Sequence, residues 1–133
     1  MASADHETAR AMFDAWNAGN VDRMIEFWSE DGDWIWEDFP DVPDARVIRG
    51  REPVEAHLRD VIDVLGEMHI EVEELVDLGD ELLAVTSFIA KGAQSGVQLD
   101  VPAFHLIRFE EGRVRRYRVF TDREQALRAA EGA

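Results

Sequence analysis

Residues able to move a proton concentrate in two short stretches of this sequence. Leu99 to Asp122 reads LDVPAFHLIRFEEGRVRRYRVFTD, with His105 and Tyr117 on either side of a tight turn at Glu110-Glu111-Gly112. Asp33 to Asp38 reads DWIWED, which sets Asp38 and Glu37 beside Trp34 and Trp36. An imidazole with its ordinary pKa of about 6.5 can give or take a proton at neutral pH, and a phenol can donate a hydrogen bond. A carboxylate desolvated beside indoles has its pKa raised, which suits it to proton abstraction. The chemistry implied is cofactor-independent general acid/base catalysis. His105 would be the donor or acid/base, Asp38 or Glu37 the base, and Tyr117 a supporting donor.

Strand alternation decides which of these can meet. Leu99, Val101, Ala103, His105, Ile107 and Phe109 share one face, so His105 is the polar member of an apolar row. That is also the pattern of a histidine satisfied inside a core. Tyr117 shares a face with Val119 and Thr121, where pairing can bring it to His105 or leave it as a core anchor with its hydroxyl at the rim. Asp38 is the preferred base because it rejoins the face of Trp34 and Trp36 if the strand runs that far. Glu37 replaces it if a bulge shifts the register, and either can equally be a solvated loop carboxylate. The tryptophans, whether core or pocket lining, favour a flat, apolar ligand.

Other chemistries find no support. His6, His57, His69 and His105 lack metal-ligand spacing, and no glycine-rich phosphate loop follows a strand. Cysteine and a GxSxG elbow are absent, and Ser87 and Ser95 have no visible triad partners. No metal and no cofactor are therefore expected.

The elements that must position these groups follow from spacing. Asp5 or Ser3 can cap a first helix whose Ala9, Met12, Phe13 and Trp16 form one stripe, ended by Asn17-Ala-Gly19. Asn20 caps a second helix carrying Val21, Met24, Ile25 and Trp28 and stopping near Asp31-Gly32. A strand over Asp33–Glu37, a proline-rich loop from Phe39 to Ala45 and a short strand at Val47-Ile48 come next. Pro53 opens a third helix with Val54, Leu58, Val61, Ile62 and Leu65 as its apolar stripe, and His57 beside it. Strands over Met68–Leu78, with a bulge at Glu73-Glu74, and Leu82–Lys91 join at Gly79-Asp80. After a turn at Gly92–Gly96 come the last hairpin and a short C-terminal helix or tail over Asp122–Ala130.

Composition bounds the rest. The 133 residues suit a single domain over residues 1–133, with 46% hydrophobic and 32% charged residues and no linker-like run. A net charge of −15, from 14 basic and 29 acidic residues, disfavours nucleic acid and anionic membrane surfaces as partners. Arg113, Arg115, Arg116 and Arg118 form the one basic cluster. Alternation splits it, Arg113 and Arg115 on one face and Arg116 and Arg118 on the other, as a solvated or ion-paired surface. Absence of cysteine and of any signal-like or membrane-length apolar segment makes the cytoplasm the expected location.

Helix, helix, strand, helix and a run of antiparallel strands define an α+β fold. That order, with Trp16-Asn-Ala-Gly-Asn-Val-Asp22, Gly50-Arg-Glu52 and His105-Leu-Ile-Arg-Phe-Glu-Glu-Gly-Arg-Val114, resembles the SnoaL-like branch of the nuclear-transport-factor-2-like superfamily. The resemblance implies a cystatin-like α+β roll. A cone-shaped, mostly antiparallel curved sheet would carry three helices of the N-terminal half on its concave face. It also implies a small apolar or polyketide-like molecule in the cone, and a homodimer through the sheet.

In ketosteroid isomerases a protonated aspartic acid stands where this chain has His105. Their tyrosine donor and general base fall at Met12 and Trp36, so the isomerase set is incomplete. The epoxide-hydrolase triad is absent too, its positions reading Ala103-x-His105 and Val119. Met12, Trp16, Trp34, Trp36, Ala103 and Val119 become the pocket-lining positions. Two functions remain open: an isomerase, cyclase or dehydratase-type enzyme, or a non-catalytic ligand-binding or dimerising module. The outward row Pro102, Phe104 and Leu106, too apolar to face water, supports dimerisation.

Overall fold

Apolar residues at intervals of three and four wind the first helix, α1 (Ala4–Asn17), and bury Ala9, Met12, Phe13 and Trp16 along one side. Gly19, at φ 69°, reverses the chain, and the Asn20 amide closes onto Ala15 O at 2.9 Å. Asn20 then caps α2 (Val21–Ile25) by accepting from Arg23 N at 3.0 Å. The computed structural model describes residues 4–37, 46–65, 68–91 and 98–131. Asp38, the 39–45 loop and the 92–96 turn lie outside them, as does Ser3, while Asp5 sits inside the first helical turn.

The second helix is shorter than its spacing predicts. It ends at Ile25, and Trp28 opens strand β1 (Trp28–Trp36). Trp28 pairs in parallel with Val114, and Val114 N donates to Phe27 O at 2.7 Å. Burial of Trp28 satisfies the helical period and the strand alike, and long-range pairing decides for the strand. A register shift between Trp28 and Asp33 lets Gly32 fold back over the indole. A Cβ on Gly32 would lie 2.5 Å from Trp28 Cδ1 and 2.6 Å from Val114 O, so only glycine fits.

Strand β2 (Arg46–Arg49), helix α3 (Arg51–Leu65) and strands β3 (Met68–Asp77), β4 (Leu82–Lys91), β5 (Gln98–Glu110) and β6 (Arg113–Phe120) follow, then helix α4 (Arg123–Glu131). They form one curled, open six-stranded sheet in the order β2-β1-β6-β5-β4-β3, antiparallel except for the β1–β6 pair. The predicted bulge in β3 falls between Val72 and Glu74. Glu111 and Gly112, at φ 54° and 80°, make the two-residue turn between β5 and β6, both left-handed as a type I′ turn requires.

A further register shift between Arg108 and Phe109 overturns the expected division of arginines. Val114 and Tyr117 both face the same core, so Arg113, Arg115, Arg116 and Arg118 do not alternate cleanly between faces. Arg115 lies 4.0 Å from both Asp33 and Glu110, and Arg118 contacts Glu81 at 3.0 Å.

Two hydrophobic layers result. On the concave side α1, α2 and α3 cover Trp28, Trp34, Trp36, Ala103, Ile107, Tyr117 and Val119. On the other side α4 lays Ala126 and Leu127 over Leu83, Val85, Phe104, Leu106 and Phe120. That second layer corrects the outward-row expectation. Leu106 is 0% and Phe104 9% exposed, because the C-terminal segment is a helix that covers them. Pro102 alone of that row is exposed, and the row offers no apolar face for a second copy. Among the described residues no helix is long and apolar enough to cross a membrane.

Candidate functional site

His105 stands at the middle of β5, opposite Ala84 on β4 and Val119 on β6, and its side chain is 0% exposed. Both ring nitrogens are engaged by side chains. Nδ1 meets the Tyr117 hydroxyl in a short contact, and Nε2 lies 2.9 Å from Thr86 Oγ1. Proton positions follow from counting donors. Thr86 spends its single hydroxyl proton on Ala103 O at 3.0 Å, so it must accept from His105 Nε2. With the proton on Nε2, Nδ1 is the acceptor and Tyr117 donates to it. One directed chain thus runs from Tyr117 through His105 and Thr86 to the Ala103 carbonyl, and every group in it is satisfied.

Burial keeps this chain uncharged. It pulls the His105 imidazole down to a pKa of about 3, because no counter-charge offsets the loss of water around an imidazolium. The same loss of water pushes the Tyr117 phenol up. At neutral pH the pair is a neutral imidazole holding a neutral phenol.

Aromatic rings wall the network. Phe13 and Phe88 approach the His105 ring at 5.4 and 5.6 Å. Trp34 stacks on Tyr117 at 4.4 Å and 9°, and Trp16 and Trp28 lie near-parallel to Trp34 at 6.4 and 5.8 Å. Trp36 tilts against Trp34 at 5.3 Å and donates from Nε1 to His57 Nε2 at 2.7 Å. His57 therefore carries no proton on Nε2. Among the described residues the indole N–H groups of Trp16, Trp28 and Trp34 are buried without an acceptor.

A solvent-facing groove of about 470 Å³ opens between α1 and β3, with buried Phe13 and Ile70 in its lining and Arg10, Asp14 and His69 at its exposed edge. Asn17 closes its end by pairing with the backbone of Ile70, Nδ2 to Ile70 O at 2.9 Å and Oδ1 from Ile70 N at 2.7 Å. Phe13 lines this groove and also touches His105.

Of the residues singled out from sequence, the fold gathers His105, Tyr117, Met12, Trp16, Trp34, Trp36, Ala103 and Val119 into one buried cluster. It leaves Glu37 out. The β1 irregularity lies upstream, between Trp28 and Asp33, so Trp34 and Trp36 keep the concave face and Glu37 is exposed beyond the strand end. Asp38 lies outside the described residues. Thr86, His57, Phe13 and Trp28 join the cluster without having been assigned a site role. Thr86 could have been found as the polar member of the inward row Ala84, Thr86, Phe88.

These features match a known family. A SnoaL-like domain model matches residues 9–117. The chain belongs to the SnoaL-like domain family. Among solved structures, an NTF2-like protein of unknown function from Burkholderia pseudomallei K96243 superposes with a TM-score of 0.78 at 19% identity, over 96% of this chain and 97% of that one. TerC, co-crystallised with polyporic acid, gives 0.77 at 17% identity over 97% and 99%. A putative SnoaL-like polyketide cyclase from Jannaschia sp. CCS1 gives 0.75 at 21% identity over 98% and 93%. At these identities the likeness is one of fold. No curated protein matches the chain.

Proposed function

We propose that this SnoaL-like chain, acting as one domain over residues 1–133, binds a small, flat, apolar molecule on the concave side of its sheet. The observation that supports this is the polar chain Tyr117–His105–Thr86, sunk in an aromatic wall of Trp16, Trp34, Phe13 and Phe88. A layer that only had to be filled would be aliphatic, as the α4 side largely is. The hydrogen-bonded chain offsets its own burial, but the unmet N–H groups of Trp16, Trp28 and Trp34 beside it are polarity that packing alone does not call for. TerC, of the same fold, holds polyporic acid in its crystals, which agrees with an organic ligand here. In this reading His105 and Tyr117 are neutral hydrogen-bonding groups, and Met12, Trp36, Ala103 and Val119 line the site.

The catalytic reading keeps one observation in its favour, the hydrogen bond between Tyr117 and His105. Tyr117 would be the hydrogen-bond donor, His105 the relay behind it, and Asp38 the base in place of the exposed Glu37. An imidazole with a pKa of about 3 is a poor general acid at pH 7, so binding is the stronger reading. A thermal-shift screen of flat neutral aromatics tests it. A ligand present at about 100 times its Kd should add about 2.7 kcal/mol of stability and raise the melting temperature by several degrees. A library that shifts nothing removes the binding reading. A turnover found by screening that survives His105→Ala removes His105 from any mechanism.

A further inference from the structure

The groove between α1 and β3 lies outside the Tyr117–His105–Thr86 chain, and its lining has a composition of its own. The floor is apolar, with Phe13 and Ile70 at 1% and 2% exposure. The walls are charged. Arg10 and Asp14, four residues apart on one side of α1, stand across from Glu71 and Glu73 on β3, so three carboxylates meet one guanidinium, with His69 at the rim. Among the described residues every ion pair lies elsewhere, and Asp14, Glu71 and Glu73 have no cationic side chain within 4.0 Å. Glu73 takes one hydrogen bond, from Ser87 Oγ at 3.4 Å. The surface carboxylates of Asp22 and Glu55, by contrast, are gathered around Arg59.

The groove also has a defined size. It holds about 470 Å³, the Asn17–Ile70 pair closes one end, and the register shift between Val72 and Glu74 bends the strand at the other. That is room for a small organic molecule and too short for a length of added strand. Its occupant has to offset carboxylates and cover an apolar floor. A bare metal ion meets the first condition only, and among the described residues no group of three or more His, Asp or Glu side chains is placed to hold one. An anion meets the field of a chain carrying −15. A neutral apolar molecule would cover Phe13 and leave the carboxylates beside it partly desolvated without compensation. An ammonium on a small apolar body suits both the walls and the floor.

We propose that the groove between α1 and β3 is a binding site for a small apolar molecule carrying an ammonium group, with Asp14 and Glu71 as its cation-binding residues. The site is separate from the concave layer and stands whether or not that layer binds a ligand. Phenethylamine, 2-phenylethanol and 3-phenylpropionate share a phenyl ring and a two-carbon arm and differ in charge. Titrating each into the full chain while following backbone amide signals by NMR tests the site. The amine should shift the amides of Asp14, Ile70 and Glu71 and bind about fivefold tighter than the alcohol, as two solvent-exposed charge pairs allow, and the acid should bind weakest. Salt at about 0.5 M should cut that preference to about twofold. Asp14 and Glu71 are exposed, so Asp14→Asn and Glu71→Gln keep the fold. Each should lower the preference to about twofold, and the double variant should show none. Glu110→Gln removes the same charge on the far hairpin and should leave the fivefold preference in place. Equal affinity of amine and alcohol, shifts that map to another surface, or an amine that shifts nothing overturns the proposal. A preference that survives the double variant, or that Glu110→Gln lowers as much, overturns it as well.

Discussion

The two faces of the sheet draw on the same strands and follow different rules. From β4 to β6, alternate residues supply Leu83, Val85, Leu106 and Phe120 to one side and Ala84, Thr86, His105 and Val119 to the other. The α4 face is closed by aliphatic side chains and two phenylalanines, and its buried carboxylate, Glu81, is held by Arg118 at 3.0 and 3.1 Å. On the concave face a neutral hydrogen-bonded chain lies among indoles, three of which have unmet donors. Strand propensity cannot account for this, because it acts on both faces together. One face completes the fold, and the other carries polarity the fold does not use.

Leu106→Ala gives the largest effect that separates the faces. Leu106 is fully buried under α4, so its truncation should cost about 4 kcal/mol in urea unfolding, as large-to-small core substitutions do. Affinity for a flat aromatic ligand found by the thermal-shift screen should not move. A changed affinity would mean that the two layers are coupled through the strands. Gly32→Ala strikes the concave layer instead. Its Cβ would meet the Val114 carbonyl, which is backbone and cannot swing aside, so Trp28 and then Trp34 must shift. The expected loss is about 3 kcal/mol, at the upper end of overpacking. Unlike Leu106→Ala, it should weaken ligand binding.

The faces also differ in their response to pH. The His105 pKa is about 3 in the folded chain against 6.5 unfolded, so between those values the unfolded chain binds the proton first. Stability from this group is complete above pH 6.5 and drains away as pH falls towards 3, by up to about 1.4 kcal/mol per pH unit. Urea unfolding at pH 7 and pH 5 should show the wild type losing about 2 kcal/mol more than His105→Asn, in which the common carboxylate effects remain. Leu106→Ala should keep the full wild-type pH dependence, because it leaves His105 buried. An equal loss in wild type and His105→Asn would show that His105 is hydrated, and the closed network would be wrong.

How much of this was legible in the sequence follows the range of the interaction concerned. The element order, the Glu111-Gly112 turn and the bulge after Val72 are local patterns, and each was readable. His105 and Tyr117 meet because the register shift beside Arg108 brings Tyr117 opposite Ile107, on the face of His105, whereas the turn and alternation alone would pair it with Leu106 on the outer face. Thr86 needs only alternation, since β4 and β5 pair without a shift. The Trp36–His57 bond could not be read, since it depends on how α3 crosses β1 rather than on spacing within either. The helix boundary failed at Trp28, where burial fits both periods. The outward row of β5 was read correctly as apolar, but its cover was missed because α4, a short polar-looking tail in sequence, docks through Ala126 and Leu127.

The smallest effect tests how the concave layer is closed at its edge. β3 is the last strand of the sheet, so one side of its backbone has no strand partner. Asn17, at the end of α1, fills that role at one position, its amide donating to Ile70 O and accepting from Ile70 N as a strand residue would. Ile70 is buried and its neighbour across the sheet, Phe88, touches His105, so α1 is tied through this pair to the wall of the network. Asn17→Ala removes both bonds, but the site is only part-buried and water from the adjoining groove can reach the freed backbone groups. The cost should be about 1 kcal/mol rather than the sum for two sealed hydrogen bonds. Amide exchange at Ile70 should quicken, while exchange at Leu106 on the α4 face stays slow. Unchanged exchange at Ile70 would mean that α1 is held by Met12, Phe13 and Trp16 alone, and that the edge strand needs no partner.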